Sequence, residues 1–412
     1  MQEVKKINKP PTKPKKKSVF RYFLAGFFSV IIISGVFFGG YQYGRGAWVL
    51  PGGMQGVAAN KGLPNSLDYN SVNNVYLALK QKYDGKLDEA KLVSGMKKGL
   101  VEAAGDPYTT YMDTDEAKSF NEQLSGSFSG IGAELGKKDN NIEVISPIAG
   151  FPAEKAGIKS KDIIVSIDGQ DATGLNVDEA VKRIRGEKGT TVKLGIVRDG
   201  QPVEISIVRD TITIPSVEYK ILDGNIGYIK ISRFGEDTAA LVDKAAQEFK
   251  AKNVNGIILD LRNDPGGYLN AAVDVSGQWL KPGQTILQEK RDGKIEKSFK
   301  AQVTGQLVGT PTVVLINAGS ASASEITAGA LKDNNAATVI GTTSYGKGSV
   351  QDVNRFQGGD IIKVTIARWF TPNDKNIDKA GIEPNVKIDL SPEDIKNGVD
   401  AQLNAAIAKL KK

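Results

Sequence analysis

The chain has 412 residues, 25% of them charged and 40% hydrophobic, which is typical of a globular protein with two or three domains. It contains neither cysteine nor histidine, so disulfides, thiolate chemistry, imidazole bases and the Ser-His-Asp triad are excluded. We therefore expect acid–base chemistry to come from Asp, Glu, Lys, Tyr or a bound ion.

The formal net charge of +7 is confined to the N-terminal tail. Residues 1–21 contain seven lysines, Arg21 and one acidic residue, Glu3, so the tail alone sums to +7 and the rest of the chain is neutral. Nucleic-acid binding would require basic residues spread over a folded face. The sequence therefore predicts no nucleic-acid partner.

Residues 22–43 are predicted to form a transmembrane anchor. Residues 23–40 are an uncharged apolar run of 18 residues, which as a helix reaches about 27 Å, close to the hydrocarbon thickness of a bilayer. The basic tail at 1–21 predicts a cytoplasmic N-terminus, a single-pass topology in the cell membrane and an extracytoplasmic catalytic part. A cleaved signal peptide is the alternative, but the region lacks a clear small-x-small cleavage site.

Beyond the anchor we expect a Gly-rich linker at 44–63 and an N-terminal helical region at 64–125. Apolar residues recur with helical spacing between 68 and 104, which predicts two helices joined near 83–86. Asp106-Pro107 then indicates a turn.

Residues 126–212 are predicted to form a compact β-rich module. Alternating strands at 142–148 and 162–172, a helix at 177–185 and a hairpin around Asp199-Gly200 follow one another. This order, together with the segments SGIGAEL, AEKAGI and DIIVSIDG, resembles a bacterial PDZ domain.

The resemblance to a PDZ domain implies a groove that takes the C-terminal segment of a ligand as an extra strand. Gly130, Ile131 and Gly132 of SGIGAEL would line this groove. The alternative is that these glycines only shape a tight turn.

Residues 213–390 are predicted to form an α/β domain with a mostly parallel core sheet, since apolar β-branched runs alternate with segments of helical period. The runs interpreted as strands are GNIGYIKIS, NGIILDLRND, PTVVLINAG, ATVIGT and IIKVTIARW. Residues 391–412 are expected to form a C-terminal helix.

The segment INAGSASASEITAGALKD, residues 316–333, predicts a strand-to-helix turn that can expose a nucleophile. Backbone N–H groups at the start of a helix can face a developing oxyanion, and small neighbours let a peptide approach. Three serines alternate here, Ser320, Ser322 and Ser324, and local physics does not select one of them. All three could instead be helix caps and small packing residues.

A serine nucleophile in this chain needs a base other than histidine. A lysine can serve if burial lowers its pKa from about 10.4 towards neutrality. Lys347 is the candidate, because Gly346 and Gly348 on either side permit an unusual backbone path and close packing.

Two other interpretations of Lys347 fail on context. GTTSYGK nearly matches a phosphate-binding P-loop, but Gly348 stands where Ser or Thr is needed and the next segment reads as a strand. The residues 344–347 also match SxxK of penicillin-binding enzymes, but that motif belongs on a helix and no KTG or SDN partner occurs.

GSASASE, GKGSVQ and DLRNDPGG, all behind a PDZ-like module, resemble the C-terminal processing (tail-specific) peptidase family. The resemblance runs from about residue 68 to 390. It implies a Ser-Lys dyad with Ser322 as nucleophile and Lys347, twenty-five positions later, as general base. Gln351 would orient the lysine.

The same resemblance implies an oxyanion hole built from the amides of Ala323 and the Gly266/Gly267 pair. This chain has Asp264 where the family often has Asn, which bears on the hydrogen bonds of the loop. A PDZ arginine that senses bound peptide would be Arg185, with Arg183 as the alternative in IRGEKGT.

The implied function is an extracytoplasmic serine endopeptidase that binds substrate tails through its PDZ domain and cleaves them without a metal or organic cofactor. Its partners would be unfolded or tail-exposed proteins. The helical segments at 68–104 and 391–412 could pair with a second chain, giving a homodimer. The rival hypothesis is a catalytically silent, PDZ-containing peptide-binding protein.

Overall fold

The structure is a computed structural model that describes residues 66–411. The chain divides into two units, Met1–Leu87 and Asp88–Lys412. In the described part of the first unit, α1 spans Tyr69–Lys82, and the Asp68 side chain caps it by accepting hydrogen bonds from two backbone amides.

The predicted anchor at 22–43 lies outside the described residues. Between residues 66 and 411, no helix is long and apolar enough to cross a bilayer.

The second unit begins with α2 at Glu89–Glu102, β1 at Thr110–Met112 and α3 at Thr114–Ser125. Asp113 and Glu116 form a capping box at the start of α3, and Gly126 ends the helix in the left-handed conformation. The chain therefore turns sharply where the PDZ-like module begins.

The predicted β-rich, PDZ-like module is present, and it is a six-stranded antiparallel sheet covered by two helices. Its elements in chain order are β2 Ser127–Gly130, β3 Ala133–Lys138, β4 Asn141–Pro147, α4 Pro152–Lys155, β5 Ile163–Ile167, β6 Gln170–Asp171, α5 Val177–Ile184, β7 Thr191–Arg198, β8 Gln201–Val208 and β9 Asp210–Thr213. The strand order is β3-β4-β5-β7-β8, with β6 added to β5, while β2 and β9 pair as a separate ribbon.

The PDZ core is built from the inward-facing residues of β4, β5 and β7, including Ile142, Ile164 and Leu194. The predicted hairpin is present, and both residues of its turn, Asp199 and Gly200, have positive φ.

The core sheet of the C-terminal α/β domain is mostly parallel, which confirms the predicted architecture. The elements of this domain in chain order are β10 Val217–Leu222, β11 Ile226–Ile231, α6 Thr238–Ala251, β12 Gly256–Asp260, α7 Leu269–Gly277, β13 Thr285–Arg291, β14 Lys294–Lys300, β15 Thr312–Ile316, α8 Ala323–Asp333, β16 Thr338–Gly341, β17 Ser349–Arg355, β18 Ile361–Phe370 and β19 Val386–Lys387. The sheet runs β10-β11-β12-β15-β16-β19, with only the β10–β11 pair antiparallel.

A second, antiparallel sheet contains β1, β13, β14, β17 and β18. IIKVTIARW lies in its β18, so the predicted strand-helix alternation does not extend to this run. The reason is local: only residues 356–360 separate β17 from β18, too few for the crossover that parallel pairing needs.

The C-terminal segment 391–412 differs from the single helix predicted for it. It contains two helices, α9 at Pro392–Lys396 and α10 at Ala401–Leu410. Gly398 takes a left-handed φ of 66° between them, and the Asp400 side chain caps α10. Ala406 of α10 packs on one face of the core sheet, while α6, α7 and α8 cover the other.

Candidate active site

The turn between β15 and α8 places Ser322 at the edge of a cleft. β15 is buried along its whole length, and α8 begins at Ala323. Ser322 has φ 56° and ψ −113°, an unusual conformation for a residue with a side chain. Such strain at a strand-to-helix turn is a feature of exposed nucleophiles.

The structure separates the three serines that the sequence left equivalent. Ser320 is buried, and its Oγ donates a hydrogen bond to Leu261 O at 2.7 Å. Ser324 is also buried, and its Oγ donates to Asp264 O at 3.0 Å. Ser322 is half-buried and lines the cleft.

Lys347 lies across the same cleft, which has a volume of about 810 Å³. Burial lowers the pKa of its ammonium group, and the positive charge of Lys363 lowers it further, while Glu325 acts in the opposite direction. The Lys347 Nζ lies 5.7 Å from the centre of the Tyr108 ring, which helps to cover it.

The two glycines beside Lys347 are required by close packing. A Cβ on Gly348 would lie 2.5 Å from Asp378 N, and Gly346 has a φ of 91° against the backbone of Lys379. The Lys347 carbonyl accepts a hydrogen bond from Trp369 Nε1 at 2.9 Å, which fixes the loop from the other side.

Glu325 joins the backbones of the two candidate catalytic residues. Its Oε2 accepts hydrogen bonds from Ser322 N at 2.8 Å and Lys347 N at 3.0 Å. Its Oε1 accepts from Ser344 Oγ at 2.6 Å and Gly346 N at 2.7 Å. One fully buried carboxylate therefore holds the nucleophile turn and the lysine loop together.

No hydrogen bond joins Ser322 Oγ to Lys347 Nζ among the described residues. Gln351 also lines the cleft, but its Nε2 donates to Ser349 Oγ at 2.6 Å and makes no hydrogen bond to Lys347 within residues 66–411. The orienting role of Gln351 stays a prediction.

The glycine loop after β12 lies directly against the nucleophile. A Cβ on Gly266 would lie 2.8 Å from Ser322 Cβ, and one on Gly267 would lie 2.2 Å from Phe234 O. Phe234 N donates to Gly266 O at 2.9 Å and fixes the loop. Only glycine fits at these two positions.

The amides predicted to form the oxyanion hole are not equivalent. Gly266 N donates to Asp264 Oδ1 at 2.8 Å, so this amide is already occupied. Within the described part of the chain, the amides of Gly267 and Ala323 have no acceptor. The geometry therefore favours Gly267 and Ala323 as donors to an oxyanion.

The peptide groove predicted for the PDZ domain would be bordered by β3. β3 is an edge strand, paired only with β4, so its other side can accept an added strand. Gly130, Ile131 and Gly132 directly precede β3, and Gly132 has a φ of 73°.

The two candidate sensor arginines point to different partners. Arg185 Nη1 donates to Glu122 Oε2 of α3 at 2.9 Å, and its guanidinium lies 4.3 Å from the Phe128 ring centre. Arg183 instead donates to Asp171 O inside the PDZ domain. Of these two arginines, Arg185 connects the end of α5 to α3, the helix that precedes β2.

Sequence reasoning missed three site residues: Glu325, Lys363 and Tyr108. The glutamate lies within GSASASE, and a capping-box pattern with Ser322 was the available signal. Lys363 lines the cleft from the second sheet, and Tyr108 lies near Lys347 from the loop before β1, so the position of each depends on contacts distant in sequence.

Three family models match the chain: Peptidase family S41 over residues 225–388, PDZ domain over 119–197, and Activating protease CtpB N-terminal domain over 49–116. The "Carboxy-terminal processing protease CtpA" of Bacillus subtilis (strain 168) is 43% identical over 323 residues, which cover 78% of this chain and 69% of that protein.

A second relative, the "Probable CtpA-like serine protease" of Staphylococcus haemolyticus, is 42% identical, with 78% of this chain and 63% of that protein covered. A crystal structure, "Putative S41 protease" from Bacteroides fragilis NCTC 9343, has a TM-score of 0.54 at 16% identity and covers 85% of this chain and 99% of that one. This last similarity concerns the fold alone.

Proposed function

The chain belongs to peptidase family S41 and is a carboxy-terminal processing serine protease, and we propose that it cleaves polypeptides with Ser322 as nucleophile and Lys347 as general base. The observation that carries this proposal is the Glu325 carboxylate, whose Oε2 accepts hydrogen bonds from the amides of both residues. The two are thereby held at one cleft.

In the proposed acylation step, Lys347 begins neutral. Burial and the charge of Lys363 lower its pKa, which supports a population with a free lone pair on Nζ. Nζ takes the proton of Ser322 Oγ as Oγ bonds to the carbonyl carbon of the substrate. The substrate oxygen becomes an oxyanion and accepts hydrogen bonds from the amides of Gly267 and Ala323.

Collapse of this intermediate breaks the peptide C–N bond, and the Lys347 ammonium gives its proton to the leaving amine. Water then enters and loses a proton to neutral Lys347 while its oxygen bonds to the acyl carbon. The Ser322 ester breaks, Oγ regains the proton from Lys347, and a new C-terminal carboxylate leaves.

We propose that the PDZ domain controls when the dyad forms. The missing Ser322–Lys347 hydrogen bond among the described residues and the ion pair from Arg185 to Glu122 support a resting arrangement. A substrate tail in the β3 groove would compete for Arg185. Arg185→Ala should change the dependence of the rate on tail-bearing substrate, whereas Arg183→Ala, the matched control, should not. Equal kinetics for both variants would exclude this role.

We further propose that residues 22–43 anchor the chain in the cell membrane, with the protease outside the cytoplasm. The uncharged 18-residue run and the basic tail before it support this topology. Protease accessibility of the domain in intact cells tests it, and protection until the membrane is breached would contradict it.

The experiment that tests the catalytic proposal is digestion of an unfolded polypeptide by the full chain in detergent. Ser322→Ala, Lys347→Ala and Lys347→Arg should abolish turnover, because a guanidinium keeps its proton. Lys250→Arg, on the exposed end of α6, is the control and should remain active.

If the wild type and Ser322→Ala leave the polypeptide equally intact, the chain is a peptide-binding protein and the enzymatic proposal is wrong. If Lys347→Arg retains appreciable turnover, another group is the base.

A further inference from the structure

Asp264 is a fully buried carboxyl group in the loop that carries the oxyanion glycines, and the reaction proposed above does not use it. Its Oδ1 accepts the hydrogen bond from Gly266 N at 2.8 Å. Its Oδ2 is buried and has no hydrogen-bond partner among the described residues. A single hydrogen-bond donor offsets only a small part of the free-energy cost of burying a negative charge.

The groups around Asp264 do not supply a counter-ion in contact. Arg233, before α6, attracts its negative charge, but no salt bridge between them occurs in the described part of the chain. The Arg233 guanidinium is engaged with Ile214 O, Ser125 O and the Asp237 carboxylate. The helix α8, whose Ser324 packs against this loop, carries Glu325 near its start and Lys332 and Asp333 at its end. The loop itself carries Arg262, which pairs with Asp260 and Asp400.

Burial is consequently the dominant influence, and it raises the pKa of Asp264 to about 7, against the smaller opposing effects of the Gly266 N–H, the Ser324 hydroxyl and Arg233. The carboxyl group therefore changes charge near neutral pH. Its position two residues before Gly266 makes that change matter for catalysis.

We propose that Asp264 is a positioning residue of the oxyanion loop that supports hydrolysis best in its protonated form, so that its ionisation at alkaline pH slows acylation. The protonated carboxyl holds Gly266 through its carbonyl oxygen and adds no charge. The ionised form places a negative charge beside the amides that must receive the oxyanion, which opposes the transition state. The inference rests on the proposed function of Ser322 and Lys347.

The test is the pH dependence of kcat/KM for the full chain and for Asp264→Asn, measured with one unfolded substrate. The wild-type rate should rise with pH as Lys347 loses its proton and then fall at alkaline pH by about 10-fold as Asp264 ionises. Asp264→Asn keeps an acceptor for Gly266 N but cannot ionise, so its alkaline fall should disappear.

Asp260→Asn is the matched control, because Asp260 is also buried at the end of β12 but pairs with Arg262 at 2.6 Å. This control should keep the alkaline fall of the wild type, whatever its absolute rate. An alkaline fall that persists unchanged in Asp264→Asn would overturn the proposal, and so would its loss in Asp260→Asn.

A second measurement does not depend on the folding of Asp264→Asn. Infrared spectra of wild-type protein should show a protonated carboxylic acid that is lost around the pKa of about 7. Absence of any such group between about pH 6 and pH 8 would reject the proposal. Failure of the catalytic proposal itself is distinct, since the wild type would then match Ser322→Ala at every pH.

Discussion

Replacing Asp264 with asparagine removes an ionisable proton from the protein interior while leaving the shape of the side chain almost unchanged. The protonated carboxyl and the amide each present one oxygen to Gly266 N. Each also leaves one further polar group without a partner among the described residues, since Oδ2 has none. The free-energy cost of burying this unpartnered polar group is therefore similar in both chains. The two chains should differ mainly in how their free energy of unfolding depends on pH.

The magnitude follows from the change in pKa between the unfolded and folded chains. The pKa of Asp264 rises from 3.8 to about 7, or about three pK units. At about 1.36 kcal/mol per unit, this gives an upper limit of about 4 kcal/mol for the pH-dependent contribution to stability. Because the pKa of this acid is raised on folding, the native state binds more protons than the unfolded state between these two values. The contribution is fully present below pH 3.8 and is lost as the pH rises to about 7.

The assay is urea unfolding of both chains from pH 4 to pH 8, followed by the fluorescence of Trp279 and Trp369, which are buried in the protease core. Both chains carry Ser322→Ala to prevent self-digestion. The difference in the free energy of unfolding, wild type minus Asp264→Asn, should fall by about 1–4 kcal/mol over this range, while all other titrations cancel. A difference that stays constant would refute the argument that Asp264 is protonated in the folded protein near neutral pH.

Three further predictions concern the cleft. Gly267→Ala places a Cβ 2.2 Å from Phe234 O and should displace the oxyanion loop, lowering kcat by about 10²–10³-fold. Gly277→Ala is the control and should keep the wild-type kcat, because there is open space around its Cβ. Equal kcat values for the two variants would contradict this prediction. Lys363→Gln should raise the pKa of Lys347 and move the acidic limb of the pH–rate profile to higher pH, whereas Lys363→Arg should restore it; an unmoved limb in Lys363→Gln would exclude the electrostatic role. Glu325→Gln replaces the carboxylate that accepts from the amides of Ser322 and Lys347 with a neutral amide. It should lower kcat more than it changes KM and reduce the free energy of unfolding by about 1–3 kcal/mol in urea titrations. An unchanged kcat would argue against a role of Glu325 in joining the two backbones.

The parallel core sheet was predictable because its strands are buried on both faces and therefore read as continuous apolar runs. β12 and β15 are buried at every residue, as their sequences suggest. β18 is also rich in β-branched apolar residues, but it pairs antiparallel because the connection from β17 is too short for a parallel crossover.

The choice among three serines could not be made from local physics. All three serines have small neighbours and similar positions at a helix start, and they differ only in their tertiary contacts. Ser320 and Ser324 reach carbonyl groups of the loop after β12, which is distant in sequence, while Ser322 meets the cleft. The resemblance to the family supplied what spacing alone did not.

The C-terminal segment shows that helical periodicity does not by itself predict where a helix ends. Helical periodicity over 391–412 was real, but Gly398 and the cap from Asp400 divide it into two helices. Gly398 and the capping Asp400 are visible in the sequence, and an interpretation by periodicity alone gives them too little weight.

Three ionisable groups in or beside the cleft, Lys347, Asp264 and Glu325, differ in their surroundings. Desolvation is the leading cause for both Lys347 and Asp264, and because one is a base and the other an acid, it moves their pKa values towards each other and favours the neutral form of each. Glu325 differs in having four hydrogen-bond donors. With a neutral lysine and a neutral Asp264, the first charges to develop beside the scissile bond are the oxyanion and the Lys347 ammonium, which stabilise each other across the cleft. An ionised Asp264 would add a negative charge behind the amides that bind the oxyanion and would repel it. The desolvation that lowers the pKa of Lys347 therefore acts on Asp264 as well, where it favours the neutral form beside the oxyanion loop.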